Sequence, residues 1–208
     1  MLECSLDDRH QKMIMIKAWK GGAIMAISAA NAGNSLERYI DEIRSVWGNG
    51  KDPELPFKLK ALMENLLLST PPEEPWMAQL IREAKPAREL YRDSERGFIQ
   101  MGHVHQKGHA NTPHDHGPCW VIYGSYTGVT DIALYRRTDD GKEPGRATLE
   151  REEIHRLGPG VVHPYLPGDI HSVHAVEGPA VVFRFLSCDL EKVERHRYNL
   201  EKGTVARV

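Results

Sequence analysis

The chain has 208 residues, 40% of them hydrophobic, enough to bury the core of one globular domain or of a domain with a helical appendage. Its 27 Lys and Arg residues nearly balance 29 Asp and Glu, so no basic field marks it as a partner of nucleic acid or of an anionic membrane surface. Three cysteines, Cys4, Cys119 and Cys188, contain no CxxC pair and make neither a disulfide framework nor a zinc knuckle; the expected compartment is reducing and cytoplasmic.

Residues 1–24 lack a clear periodicity or a capped helix pattern. They read as disordered, or as lying upstream of a true start at Met25. The apolar stretch GGAIMAISAANAG is broken by Gly, Ser and Asn and falls short of the roughly 18 apolar residues of a membrane span. Its upstream flank is mixed in charge, which makes a poor signal peptide. From Met25 onward the sequence looks like a domain opening, with Asn34 or Ser35 as helix cap.

Residues 25–92 predict a helical segment. Leu36, Tyr39, Ile40, Ile43, Val46 and Trp47 recur at helical spacing over 35–47, and Gly48-Asn49-Gly50 ends the run. A second helix is expected over 56–68, with Phe57, Leu59, Leu62, Met63, Leu66 and Leu67 on one face. A third follows Pro71-Pro72 over 75–84, with Trp76, Leu80 and Ile81 inward.

After Arg92 the texture changes to short runs rich in Val, Ile, Tyr and Phe, separated by Gly, Pro, Asp and Asn. Residues 93–190 therefore predict a mainly β domain with strands near 97–105, 119–126, 130–137, 147–157, 161–166, 171–175 and 180–186, a sandwich or a barrel. Residues 191–208 read as a C-terminal tail, a last turn and a solvated end.

Of eleven histidines, His114 and His116 stand one residue apart in PHDHGP, just before an apolar run. In extended backbone, residues i and i+2 project to one face, so both imidazoles can reach one metal ion. A third ligand must come from another strand, and His171 in LPGDIHSVHAV is the best placed. Three neutral imidazoles in a facial arrangement leave coordination positions open; they suit iron(II), and equally zinc, nickel or copper. His174 should point away from the face of His171. His103, His105 and His109 feed the motif and are expected to line the cavity or hydrogen-bond. Cys119 reads as a small buried hydrophobe, and no serine lies in a nucleophile-elbow sequence.

These residues resemble a cupin, and within the cupins the cysteine dioxygenase-like (thiol dioxygenase) group. Gly108, five residues, His114 and His116, four residues, Val121, six residues and Gly128 reproduce the spacing of the first cupin motif with its glutamate replaced. Thiol dioxygenases resemble cupins in which that glutamate is lost and iron is held by three histidines. GDIHSV is similar to the segment that supplies the third, which places it at His171. Trp120, Gly124 and the Tyr91-Arg92-Asp93 run also match bacterial members, and the resemblance covers roughly 36–190.

The resemblance implies an RmlC-like cupin barrel (double-stranded β-helix) carrying Fe(2+) on His114, His116 and His171. It implies a small-molecule substrate and O2, and an arginine for the substrate carboxylate, matched by position to Arg92. The chain departs from the group where a Ser-x-His-x-Tyr segment is replaced by Val182, Arg184 and Leu186. Arg184, if inward, could hold the anion instead, and Tyr123 or Tyr165 could supply a hydroxyl. The expected activity is an iron(II)-dependent oxidation of a small thiol carboxylic acid, of cysteine or 3-mercaptopropionate type, to its sulfinate. A cupin acting on a non-thiol substrate and a non-enzymatic small-molecule-binding cupin are the alternatives. A monomer or homodimer is expected, with no nucleic acid and no membrane as partner.

Overall fold

The computed structural model describes residues 34–208, so the expectations for residues 1–24, for the start at Met25 and for Cys4 lie outside the described residues. Three helices come first: α1 (Ser35–Val46), α2 (Leu55–Ser69) and α3 (Pro75–Glu83). Then follow β1 (Arg88–Arg92), β2 (Ile99–His105), β3 (Val121–Arg137), β4 (Leu149–Leu157), β5 (Val162–Tyr165) and β6 (Ile170–Leu186). A single 3-10 turn, Leu190–Lys192, precedes β7 (His196–Asn199) and β8 (Thr204–Arg207).

Each helix begins where its sequence allows. Asn34 caps α1 by accepting from Glu37 N at 3.0 Å, while the Glu37 carboxylate accepts from Asn34 N at 3.1 Å, satisfying two donors that a helix start leaves free. Proline in the first turn of α2 and of α3 has no N–H to lose. Ile40 and Ile43, Leu59 and Met63, and Met77 and Leu80 turn onto one face of the sheet, against Val104, Ile122, Phe183 and Phe185. A Cβ at Gly124 would come within 2.7 Å of Leu67 Cδ1 and 2.9 Å of Val162 Cγ2, so the bare glycine lets α2 lie directly on β3. Phe57 and Ile81, expected inward, are exposed instead. Phe57 lies two residues past Leu55, on the far side of a helix of 3.6 residues per turn, and Ile81 lies one residue past the buried Leu80.

The strands pair antiparallel in the order β1-β2-β6-β3-β4, with β5 also on β3. β3 and β6 dominate. Val121–Gly124 of β3 pair with β5 and with the end of β6, and after register shifts between Ser125 and Thr130 the same strand pairs with β4 and with the start of β6. Both long strands therefore pass through both layers, the double-stranded β-helix of a cupin barrel, mainly β with its helices at the N-terminal side. Gly128 and Gly178-Pro179, read from sequence as breaks between short strands, sit at these irregularities and bend the strands without ending them.

β1 falls in the segment expected to be helical. The left-handed Ala84 (φ 47°) ends α3, Pro86 follows, and the chain leaves extended to pair with β2. The expected solvated tail is a β7–β8 hairpin, whose two short runs become legible only once they dock on the barrel. The inner face of the barrel carries Ile99, Val121, Ile132, Tyr165, Val173 and Leu186, together with a row of polar side chains.

Candidate metal centre

Residues 111–116 run extended ahead of β3 and are laced on both sides. His114 N donates to His171 O and His171 N to His114 O, each at 3.0 Å, while Val173 N donates to Asn111 Oδ1 at 2.7 Å. On the other flank Asp115 N donates to His196 O at 3.1 Å and Tyr198 N to Pro113 O at 2.9 Å. Fixed in this way, the ring centroids of His114, His116 and His171 lie 4.8 to 5.0 Å apart, and one nitrogen of each lies within 4.8 Å of the other two.

The donor set fits a metal ion. His114 Nδ1 donates to Thr112 O at 3.0 Å, which leaves Nε2 with a free lone pair. His116 Nδ1 and the ring nitrogens of His171 are buried without a close hydrogen-bond partner; a metal ion would satisfy one nitrogen of each ring, and the backbone of Asp169 stands to accept from the other nitrogen of His171. Burial, reinforced by the neighbouring imidazoles, pushes His171 down to about 3 and His116 further still; burial also lowers His114. All three rings are therefore neutral near pH 7, the form that binds a cation. Three imidazoles suit iron, zinc, nickel or copper.

A cavity of about 500 Å³ opens on His114 and His116 and is lined by Ile99, Met101, Leu186 and four arginines. A smaller one of about 160 Å³ lies between His103, His105, His109 and Tyr123, and Arg184 lines both. Arg184 stands in the ladder beside Met101 and Tyr123, inside the barrel. Its Nε is buried without a partner, and no carboxylate pairs with it among the described residues. Arg92 reaches the rim of the larger cavity but is held by Glu89 and Asp189, each at 2.7 Å. Tyr123 is buried with its ring 5.6 Å from that of His171. Tyr165 lies closer, at 4.9 Å, and its hydroxyl meets His155 Nδ1 at 3.2 Å; Glu153 stands 3.2 Å from the other nitrogen of that ring.

His103 donates from Nδ1 to Pro86 O at 2.8 Å, so its buried Nε2 is an acceptor without a donor. Burial, with Arg184 nearby, pushes His103 down to about 3, and burial holds His105 at about 4. His174 is exposed, while His171 is buried.

Four features of the site were not read from the sequence. Asp115, between the two motif histidines, points away from them and into the C-terminal hairpin. A Cβ at Gly117, which has φ +58°, would collide with Glu194 O, so the hairpin approach is built against the motif itself. That approach brings Arg195 and Arg197 to the cavity. Cys119, expected to be a lone small hydrophobe, is bonded to Cys188 with a Cα separation of 5.9 Å, a correction that follows from register. Val121 faces Leu186 in the β3–β6 ladder, and two further residues along each strand bring the sulfurs together.

No family model matches the chain, and no curated protein matches it. Solved structures that match include KdgF from Halomonas sp., 18% identical over 48% of this chain and 76% of that one, with a TM-score of 0.37. A cupin superfamily protein from Desulfitobacterium hafniense is 12% identical over 50% and 76%, with a TM-score of 0.36. The cupin domain of Cnp3 from Schizosaccharomyces pombe is 10% identical over 51% and 62%, with a TM-score of 0.38. Among the described residues no helix is long and apolar enough to cross a membrane.

Proposed function

We propose that the protein is an iron(II)-dependent dioxygenase that converts a small thiol carboxylic acid to its sulfinate. What carries this reading is the pairing of three convergent neutral histidines, without a carboxylate ligand, and a half-buried guanidinium, Arg184, whose Nε is buried and unpaired, on the wall of the cavity that opens on two of them. His114, His116 and His171 would hold the ion, and iron(II) there supplies the redox chemistry with dioxygen. In the overall change both oxygen atoms end on sulfur, dioxygen takes the electrons that sulfur gives up, and the thiol proton is released.

The chain's own residues bind and orient. Arg184 offers a planar fork of donors for a carboxylate, and its half-buried position with a buried Nε makes that contact stronger than it would be in water. Ile99, Met101 and Leu186 wall the cavity and limit water. Holding the acid at one end fixes the sulfur at the other, which turns an encounter into an oriented reaction.

A second reading, a metal-dependent cupin acting on a non-thiol acid, is favoured by one observation. Val182 and Leu186 flank Arg184 where the thiol dioxygenases carry Ser-x-His-x-Tyr, so the end of β6 offers no hydroxyl or second imidazole beside His171. Metal content of anaerobically purified protein, followed by oxygen uptake with cysteine and 3-mercaptopropionate, separates the two. Near-stoichiometric iron, lost in a His114→Ala, His171→Ala variant, with sulfinate formed, supports the dioxygenase. Iron with no oxygen uptake transfers the weight to the non-thiol reading.

A further inference from the structure

We infer that the ligand of the larger cavity carries two anionic groups, one held on Arg184 inside the barrel and the other at the mouth by Arg195 and Arg197. This rests on reading the cavity as the substrate site of the metal centre, and it names the substrate class: an extended dianion, such as a dicarboxylate bearing the reactive group. The lining holds four guanidiniums, of Arg92, Arg184, Arg195 and Arg197, and three carboxylates, of Glu89, Asp189 and Glu191. Glu89 and Asp189 are both bound to Arg92, so three guanidiniums face a single free carboxylate, Glu191.

Exposure alone does not explain the missing partners. Arg136, Arg156 and Arg207 are more than half exposed and each is still paired with a carboxylate. Arg195 gives only its Nε, to Leu190 O at 3.0 Å, and the Arg197 side chain makes no hydrogen bond or ion pair among the described residues. They stand two residues apart where the chain enters β7, so they share a face, and Tyr198 turns inward to Asp115 from the opposite one. Arg184, Arg195 and Arg197 all line the cavity that opens on His114 and His116.

A guanidinium inside the barrel with a buried, unpaired Nε already asks for one anion. Two more at the rim, in a cavity of about 500 Å³, leave most of the volume and most of the positive charge unused by a two- or three-carbon monoacid. A bound divalent cation would add to the excess positive charge.

The test is titration calorimetry of the metal-loaded protein with succinate, glutarate and adipate against butyrate, in wild type, R184Q, R197Q and R195Q/R197Q. At least one dicarboxylate should bind about fivefold or more tighter than butyrate, with a preference that fades as salt is raised. R195Q/R197Q should erase the preference while keeping the butyrate affinity, R197Q alone should reduce it, and R184Q should weaken both kinds of acid. The histidines are intact in these variants, so ligation of a carboxylate by the metal contributes equally to each. Equal binding of mono- and dicarboxylates by wild type, absence of binding by either, or a preference that survives in R195Q/R197Q would overturn the inference. Neither thiol nor oxygen chemistry enters the measurement, so a failed dioxygenase assay leaves it standing.

Discussion

The Tyr198 hydroxyl donates to the Asp115 carboxylate at 3.0 Å, across 83 residues of sequence, and so ties the C-terminal hairpin to the residue between the two motif histidines. Asp115 also accepts from Gly117 N at 2.9 Å and His196 N at 3.1 Å, and it stands 3.0 Å from His196 Nδ1. Its side chain is thereby anchored on the side opposite to the imidazoles, and the backbone that aims them is held from behind. Asp115→Asn should lower metal affinity by about 10–100-fold, the usual effect of losing a group that orients ligands, and Tyr198→Phe by less. Competitive metal titration measures this; unchanged affinity in both variants would show that the ladder to His171 alone fixes the motif.

Acid should destabilise the metal-free protein in a defined window. Burial holds His103 at about 3, well below the ordinary histidine value of 6.5, so between these values the unfolded chain binds a proton that the folded chain refuses. The contribution is fully present above pH 6.5 and is lost as pH falls toward 3. The slope is about 1.4 kcal/mol per pH unit for such a histidine. Denaturant melts at pH 4 to 6 should show His103→Asn with a shallower dependence of stability on pH than wild type by roughly that amount; parallel curves would count against a neutral His103 in the fold.

The contrast between what was legible in the sequence and what was not has a physical basis. The helices and the HxH motif are local patterns, and α1 and α2 begin and end within a residue or two of the expected bounds because caps, prolines and apolar periodicity are written in adjacent residues. The third histidine was found because a Pro-Gly turn marks the start of β6. The Cys119–Cys188 pair depends on the register of two strands 69 residues apart, and the roles of Asp115, Arg195 and Arg197 depend on where a short hairpin docks. Neither leaves a periodic trace. Arg92 and Arg184 could not be ranked from sequence because the carboxylates that occupy Arg92 come partly from Asp189, 97 residues away.

The Cys119–Cys188 bond closes the barrel wall beside the metal motif and behind β6. A cross-link over a loop of this length restricts the unfolded chain and should contribute about 2–4 kcal/mol. Non-reducing peptide mapping should recover the pair, and reduction, or a Cys119→Ser, Cys188→Ser variant, should lower the thermal midpoint. Alkylation of both thiols in protein denatured without reductant would show the bond to be absent in solution.

The two arginines named from sequence should separate in kinetics. Arg184 is inside the barrel with a buried Nε and no carboxylate partner, whereas Arg92 is exposed at the rim and neutralised by Glu89 and Asp189. Replacing Arg184 by Gln removes a charge-assisted contact and should raise KM for an anionic substrate by about 10–100-fold, while neutral analogues lacking the carboxylate lose little. Arg92→Gln frees two acidic groups at the mouth, so its effect should be small, electrostatic and largely abolished by added salt. Steady-state measurements at low and high ionic strength distinguish the two patterns. A salt-insensitive loss in Arg92→Gln that equals or exceeds that of Arg184→Gln would move the carboxylate anchor to the rim, and would require the Arg92 guanidinium to leave Glu89 and Asp189 when substrate binds.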